Sequence, residues 1–161
     1  MLKLVMKKLI ILDLDHTLIY GSYAEKESAE LLFHYSTFLK VYKRPFVENL
    51  ILVCKELGDI IIYTTALKLY ATKISKKLNI QPLEIHSRKN CFLLNGNFKK
   101  SLKKEWLKKY DKIIIIDDSP NVWINTNENI IFLIPNEFRG SATDIGLEKI
   151  ITEVLRYKIK P

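Results

Sequence analysis

Four short runs of apolar, mostly β-branched residues, each ending in polar residues, restrict the fold of this chain more than any other feature. The runs are "KKLIILDLD", "GDIIIYTT", "DKIIIIDD" and "NIIFLIPN". Each run is continuously apolar rather than alternating, which is typical of strands that are covered on both faces, as in a parallel sheet. We therefore expect four strands of a buried, mainly parallel sheet.

Segments with helical character lie between these runs. "PFVENLILVCKELG" begins with Pro45 and ends with Gly58, which are common start and stop residues of a helix. "ALKLYATKISKKLN" follows the second run, and "ATDIGLEKIITEVLRYK" closes the chain with Thr143 as the predicted N-cap. Strands that alternate with helices predict an α/β fold with an open, doubly wound sheet.

Two segments interrupt this alternation. Residues 21–44 include the strand-like "STFLKVYKR", and residues 83–98 contain a predicted hairpin around Asn95 and Gly96, a favourable turn dipeptide. Because 161 residues suit one hydrophobic core, we expect a single domain over 1–161 with a small β-hairpin insertion at about 21–44. Both segments can cover a site at the strand ends.

The charge of the chain is unevenly distributed. The net charge is +8, and five of these charges come from "KKSLKKEWLKKYDK" at 99–112. Apolar residues recur there at helical spacing, so we predict an amphipathic helix with a solvated lysine face. The apolar positions are Leu102, Trp106, Leu107 and Tyr110. The basic balance also keeps nucleic acid open as a partner.

Several classes of protein are excluded by composition. The apolar patch Leu9–Leu12 is too short for an export signal, and no run approaches the roughly 20 residues of a membrane span. Cys54 and Cys91 have no partners at metal-binding spacing, which argues against a zinc site or a disulfide framework. We expect a soluble, cytoplasmic protein that does not associate with membranes.

Polar side chains follow three of the four runs, at the point where each predicted strand ends. They are Asp13, Asp15, Thr64, Thr65, Asp117 and Asp118. Ligands bind at the carboxyl ends of the strands in a doubly wound sheet. Carboxylates that meet there raise each other's pKa unless a cation lies among them, so the pattern predicts a hard metal ion with oxygen ligands. Mg²⁺ is the natural candidate because it binds carboxylates and substrate phosphate oxygens together.

The same residues carry a resemblance to a known family. "DLDHTL" resembles the DxDxT signature of the haloacid dehalogenase (HAD) superfamily. The rest of the chain resembles its branch of RNA polymerase II C-terminal-domain phosphatases, also called NLI-interacting-factor-like phosphatases. The matching stretches are "KRPFVENL", "IIIYTTALKLYA", "CFLLNGNFKKSL" and "IIIIDDSP", in that order.

This resemblance implies a HAD-like, Rossmannoid fold and a Mg²⁺-dependent phosphomonoester hydrolase that acts through an aspartyl-phosphate. The implied substrate is a phosphoprotein or phosphopeptide. Asp13 would be the nucleophile and Asp15 the general acid and base. Thr64 and Lys100 would bind phosphate, with Thr65 and Lys99 as open alternatives. The implied metal ligands are Asp13, Asp15, Asp117 and Asp118.

Two other functions stay open. One is a nucleic-acid end phosphatase, because DxDxT enzymes include these and the chain is basic. The other is a non-catalytic phospho-acceptor or binding module, although "IIIYTT" lacks the Asp that such a module phosphorylates on a middle strand. We expect His16 to be structural. Three aromatic residues are predicted to lie in the core: Tyr63, Trp106 and Trp123.

Overall fold

The computed structural model describes residues 6–127 and 129–159. The segment weighed as an export signal includes residues 1–5, which lie outside the described residues. The strands are β1 Lys8–Leu12, β2 Ile19–Ser22, β3 Glu30–His34, β4 Lys40–Lys43, β5 Asp59–Tyr63, β6 Glu84–His86, β7 Phe92–Leu94, β8 Asn97–Ser101, β9 Lys112–Ile116, β10 Trp123–Ile124 and β11 Ile130–Leu133. The helices are α1 Val47–Leu57, α2 Lys68–Lys77, α3 Lys104–Lys109 and α4 Gly146–Ile159.

A five-stranded parallel sheet forms the centre of the molecule, in the order β11-β9-β1-β5-β6. The four predicted strands are all in this sheet, so the doubly wound α/β prediction is confirmed. Leu12 pairs with Ile62 on one side and with Ile116 on the other. The carboxyl ends of β1, β5 and β9 therefore lie next to each other.

Both faces of this sheet are covered by apolar side chains. Ile10, Leu12 and Ile62 pack on the face that α1 and α4 cover, while Leu9 and Ile11 pack on the opposite face. The core aromatics are there as predicted: Tyr63, Trp106 and Trp123 are 2%, 4% and 7% exposed. Each fully buried isoleucine or leucine contributes about 1.5–3 kcal/mol, which explains why the runs are apolar at every position.

β6 is a fifth strand of the sheet that the sequence did not predict. It has three residues, of which only Ile85 is apolar, and it pairs in parallel with β5 at the edge. The predicted hairpin lies farther along, where β7 and β8 pair antiparallel around Asn95 and Gly96. Both turn residues have positive φ, 50° and 76°, as a two-residue turn of this kind requires.

The insertion is larger than the predicted hairpin. β2, β4 and β3 form a three-stranded antiparallel sheet in that order. It adjoins the strand ends of the central sheet, because a Cβ built on Gly21 would lie 3.0 Å from the Tyr70 hydroxyl. β3 was not predicted, because its sequence "ELLFH" has no alternating pattern and most of its residues are exposed.

Two helix predictions need correction. The helix predicted over 99–112 is confined to Lys104–Lys109, because Lys99 to Ser101 belong to β8 and pair with β7 and β10. α4 begins at Gly146, so Thr143 is not its N-cap. Asp144 instead accepts the Gly146 N–H at 3.0 Å. Over the described residues, the structure contains no helix with the length and apolar character needed to cross a bilayer.

Candidate active site

The ends of β1 and β9 bring three carboxylates together. The Asp13 N–H donates to the Ile116 carbonyl at 3.0 Å, which fixes the end of β1 against the residues that follow β9. Asp13, Asp117 and Asp118 each place a carboxylate oxygen within 4.8 Å of the others. Asp15 lines the same cavity, but its carboxylate lies outside this group of three.

Lys100 is the cation at the centre of this cluster. It is 1% exposed, and its Nζ lies 2.7 Å from both Asp13 Oδ1 and Asp117 Oδ2. Burial alone would lower the pKa of Lys100, but the two carboxylates outweigh it and hold the pKa above its usual value. Lys99 points elsewhere and donates to the Asn121 carbonyl at 2.9 Å. Of the two candidate lysines, Lys100 is therefore the one in contact with the carboxylates.

Asp13 is a buried carboxylate in a crowded anionic environment. Burial raises its pKa and Asp117 raises it further, while Lys100 opposes both. Among the described residues, the hydrogen bond of its carboxylate is made through Oδ1 alone, and Oδ2 is left without a partner. One carboxylate oxygen therefore remains available for a metal ion or for bond formation.

Hydrogen bonds hold the other two carboxylates of the cluster. Asp117 Oδ2 also accepts the Trp123 indole N–H at 2.8 Å, and its Oδ1 accepts the Ser119 N–H at 2.9 Å. Asp118 Oδ1 accepts the Thr17 hydroxyl at 2.8 Å. Each carboxylate thus has a fixed orientation in the site.

Three of these supporting residues did not stand out as site residues in the sequence. Thr17 and Ser119 lie inside the motif-like stretches "DLDHTL" and "IIIIDDSP", so their positions could have drawn attention. Trp123 was expected in the core, where it does pack, but its indole N–H also reaches the site. No sequence pattern reports such a hydrogen bond.

Asp15 has a different environment from Asp13. Its Oδ1 accepts the Tyr70 hydroxyl at 3.0 Å. Burial raises the pKa of Asp15, although this hydrogen bond opposes the rise. A carboxyl with a raised pKa keeps its proton to higher pH than a free one, which favours the role of a general acid.

The loop after β5 presents its two threonines differently. Thr64 is 1% exposed, and its hydroxyl accepts the Ala66 N–H at 3.1 Å. Thr65 lines the cavity that Asp13 and Lys100 also line, and its carbonyl accepts Arg88 Nε–H at 2.8 Å. Among the described residues, Thr65 is thus the threonine at the cavity wall, and phosphate binding by Thr64 stays a prediction.

A buried arginine holds the loop that follows β1. Arg44 is 0% exposed and pairs with Asp144 at 2.7 Å. It also donates to the carbonyls of Thr17 at 2.9 Å and Asn136 at 2.7 Å. His16 in this loop has φ of 66°, a conformation that non-glycine residues adopt rarely, and its Nδ1 lies 3.1 Å from the Phe138 carbonyl. His16 thus contacts the Phe138 loop and also lines the active-site cavity, so its structural role stays a prediction.

The cluster opens into a cavity of about 130 Å³. Three converging carboxylates with a single lysine leave an excess of negative charge, which a bound cation would offset. The donor set consists of carboxylate oxygens alone, the type that Mg²⁺ prefers. The arrangement therefore fits a hard metal ion held by the carboxylates of Asp13, Asp117 and Asp118.

Comparison with known proteins gives one matching family and several relatives. A family model described as NLI interacting factor-like phosphatase matches residues 8–160. Phosphatase Herzog of Drosophila melanogaster is 28% identical over 153 residues, which cover 90% of this chain and 42% of that protein. The CTD small phosphatase-like protein of Homo sapiens is 28% identical over 133 residues, covering 78% of this chain and 48% of that protein.

A solved structure shares the fold. The structure of Fcp1, an essential RNA polymerase II CTD phosphatase, aligns with a TM-score of 0.58 at 22% identity. The alignment covers 96% of this chain and 49% of that one. The chain thus spans less than half the length of these relatives.

Proposed function

Because this chain belongs to the NLI interacting factor-like phosphatase family, we propose that it is a phosphomonoester hydrolase that acts on phosphoproteins or phosphopeptides through an aspartyl-phosphate. The observation that carries the proposal is the contact of one buried lysine with two carboxylates, 2.7 Å from each, beside a third carboxylate. A cluster of this kind serves phosphoryl transfer, because it can offset the charge of a phosphate and supply an anionic nucleophile.

Asp13 is the proposed nucleophile. Its Oδ2 attacks the phosphorus atom while the bond between phosphorus and the ester oxygen breaks, and Lys100 holds Oδ1 in place. Asp15 gives its proton to the departing alkoxide. It then takes a proton from a water molecule, whose oxygen attacks the phosphorus of the aspartyl-phosphate. Inorganic phosphate leaves, and Asp13 and Asp15 return to their starting states.

Asp13, Asp117 and Asp118 are the proposed ligands of Mg²⁺, in accord with their oxygen donors and mutual distances. When bound, this ion would supply positive charge against the phosphate oxygens and against the nucleophile itself. The Asp15 carboxylate, which hydrogen-bonds Tyr70 instead, is not part of the proposed metal site. This departs from the sequence-based prediction, which had included it.

The proposed substrate class rests on the relatives. The human relative is named a CTD small phosphatase-like protein, and Herzog is named a phosphatase. A phosphorylated nucleic-acid end is the second candidate, favoured by the net charge of +8. The two substrates differ in what flanks the phosphate, so they can be compared in one assay.

The test is a set of hydrolysis assays with p-nitrophenyl phosphate, a phosphoserine peptide and a 3′-phosphorylated oligonucleotide. Each is run with Mg²⁺ and with EDTA. We expect Mg²⁺-dependent release of phosphate, with the highest kcat/KM on the peptide. Absence of turnover on all three substrates would refute the proposed phosphatase activity. A higher kcat/KM on the oligonucleotide would make nucleic-acid ends the preferred substrate and leave the proposed mechanism unchanged.

A further inference from the structure

A second, larger cavity lies at the edge of the central sheet, beside the active site. Its volume is about 580 Å³, and it is formed by α2, β6 and the turn that follows β6. Four lysines line it: Lys68, Lys76, Lys89 and Lys103. We call this cavity, with its four lysines, the lysine cleft. Neither the metal cluster nor the nucleophile uses any of these residues.

The lysine cleft carries an uncompensated positive charge. Its one lining carboxylate over the described residues is Glu84, which already pairs with Lys103 at 2.9 Å and contacts His86 Nε2 at 2.7 Å. No carboxylate of the described chain lies within ion-pairing distance of the exposed Lys76 or Lys89. The cleft therefore favours an anionic occupant.

The cleft lies close to the active site, with the buried Tyr63 between them. The Tyr63 hydroxyl donates to the carbonyl of Asn90, which lines the cleft, and the Tyr63 ring lies 6.0 Å from Lys100 Nζ. Lys103 follows Lys100 by three residues, so their Cα atoms are separated by at most about 11 Å. An extended peptide covers that distance in about three residues.

Two observations favour a peptide over a nucleic acid as the occupant. Single-stranded nucleic acids bind through aromatic side chains on which bases stack, and none of the described residues that line the cleft is Phe, Tyr or Trp. Pro82 and Leu83 line it instead, and Leu83 is 59% exposed, which provides apolar contact for a polypeptide.

We propose that the lysine cleft binds a second phosphoserine of the substrate, two to four residues from the phosphoserine that enters the active site. The proposal rests on the proposed function and narrows its substrate class to multiply phosphorylated peptides. Lys76 and Lys89 provide the uncompensated charges, so they determine the preference for the second phosphate. Lys68 donates to the Ile85 carbonyl at 2.6 Å and also supports the cleft wall.

The test measures peptide binding by fluorescence anisotropy in EDTA, where turnover is suppressed. Three peptides share a central phosphoserine. One has alanine at both flanking positions, and the other two have a second phosphoserine three residues before or after the first. We expect the wild-type protein to bind one doubly phosphorylated peptide about three- to tenfold more tightly than the alanine peptide, the range for two exposed ion pairs.

The Lys76→Gln, Lys89→Gln double variant should lose this preference. The matched control is Lys7→Gln, Lys149→Gln, which removes two exposed lysines that are not among the residues lining the cleft. It should keep the preference. If the two double variants show the same preference for the doubly phosphorylated peptide, or if the wild type shows none, the proposed second phosphoserine site is wrong. An oligonucleotide can be measured in the same assay. If the Lys76→Gln, Lys89→Gln variant loses oligonucleotide binding but keeps the peptide preference, the occupant of the cleft is not a peptide.

These outcomes are separate from failure of the proposed function. If the wild-type protein prefers the doubly phosphorylated peptide but does not hydrolyse p-nitrophenyl phosphate, the second phosphoserine site is supported and the phosphatase activity is refuted. A protein that hydrolyses p-nitrophenyl phosphate without any preference among the peptides would do the reverse.

Discussion

At the scale of single residues, the two carboxylates of "DLD" have different surroundings although they are two positions apart. Asp13 contacts a buried ammonium group, whereas Asp15 accepts a tyrosine hydroxyl. Burial raises the pKa of both carboxyls, and the two differ in their neighbours: the Lys100 ammonium group favours the ionised form of Asp13 that a nucleophile needs, whereas the partner of Asp15 is a neutral hydroxyl. The environments thus match the two roles proposed for them.

Asp15→Asn should separate these roles. Without the group that activates water, we expect turnover to fall about 10²- to 10⁴-fold. With an activated aryl phosphate, whose leaving group needs no proton, the first step should survive better than the second. Phosphorylated Asp13 should then accumulate, and rapid-quench mass spectrometry would detect it. Asp13→Asn should show neither turnover nor adduct, and phosphate on any other residue would contradict the mechanism.

Trp123 is proposed as a positioning residue, since its indole N–H donates to Asp117 Oδ2. Trp123→Phe should lower the free energy of unfolding by about 1–3 kcal/mol, because a buried acceptor loses a partner. It should also weaken Mg²⁺ binding, measured by calorimetry. Trp106→Phe is the control in the same aromatic cluster, since Trp106 packs on Tyr63 and His86. Equal losses of Mg²⁺ affinity in both variants would indicate a packing effect only.

At the scale of elements, the site depends on short strands that deliver side chains from outside the central sheet. β8 brings Lys100 under the carboxylates, and β10 pairs with it so that Trp123 lies opposite Lys100. The α3 helix that follows carries further lysines on its exposed side, among them Lys104 and Lys108. The lysine-rich stretch thus divides into one buried residue in the site and a group of solvated ones.

The exposed lysines of α3 should attract anionic substrates without taking part in the chemistry. We expect Lys104→Gln, Lys108→Gln to lower kcat/KM about two- to threefold at low salt, and less at high salt, because exposed charges are screened beyond about 8–10 Å. Steady-state kinetics at several ionic strengths would measure this. A loss of the same size at every ionic strength would rule out steering.

Strands were predicted most reliably from the sequence where the apolar runs are long. The four central strands followed from uninterrupted apolar residues, but β6 has one such residue and forms because β5 offers it an open edge. Likewise, Asp13, Asp117 and Asp118 could be placed at neighbouring strand ends from the sequence. The Tyr70 and Arg44 contacts could not, because they join residues 55 and 100 positions apart through tertiary packing alone.

At the scale of the whole molecule, the carboxylate cluster is a local excess of negative charge in a chain whose net charge is +8. Like charges held close together destabilise the folded state, and a bound cation removes that cost. Metal binding and stability should therefore be linked in this protein.

Magnesium should raise the melting temperature of the protein. A ligand at 100 times its Kd stabilises the native state by about 2.7 kcal/mol, so the shift should be several degrees. Asp118→Asn keeps an oxygen that can accept the Thr17 hydroxyl but removes a charge, and it should abolish most of the shift. Thermal denaturation with Mg²⁺ and with EDTA measures both. Equal melting temperatures in the two conditions would argue against the metal site.

The contacts of Arg44 also have a consequence for the order of folding. This one side chain joins Thr17, Asn136 and Asp144, which lie 27, 92 and 100 residues away in the chain. Contacts between distant residues form late, because the entropy of the long intervening loops must first be lost. We therefore expect the helices, whose hydrogen bonds are local, to form before the loop of Thr17 is fixed, so that during refolding the far-ultraviolet circular dichroism recovers before catalytic activity does.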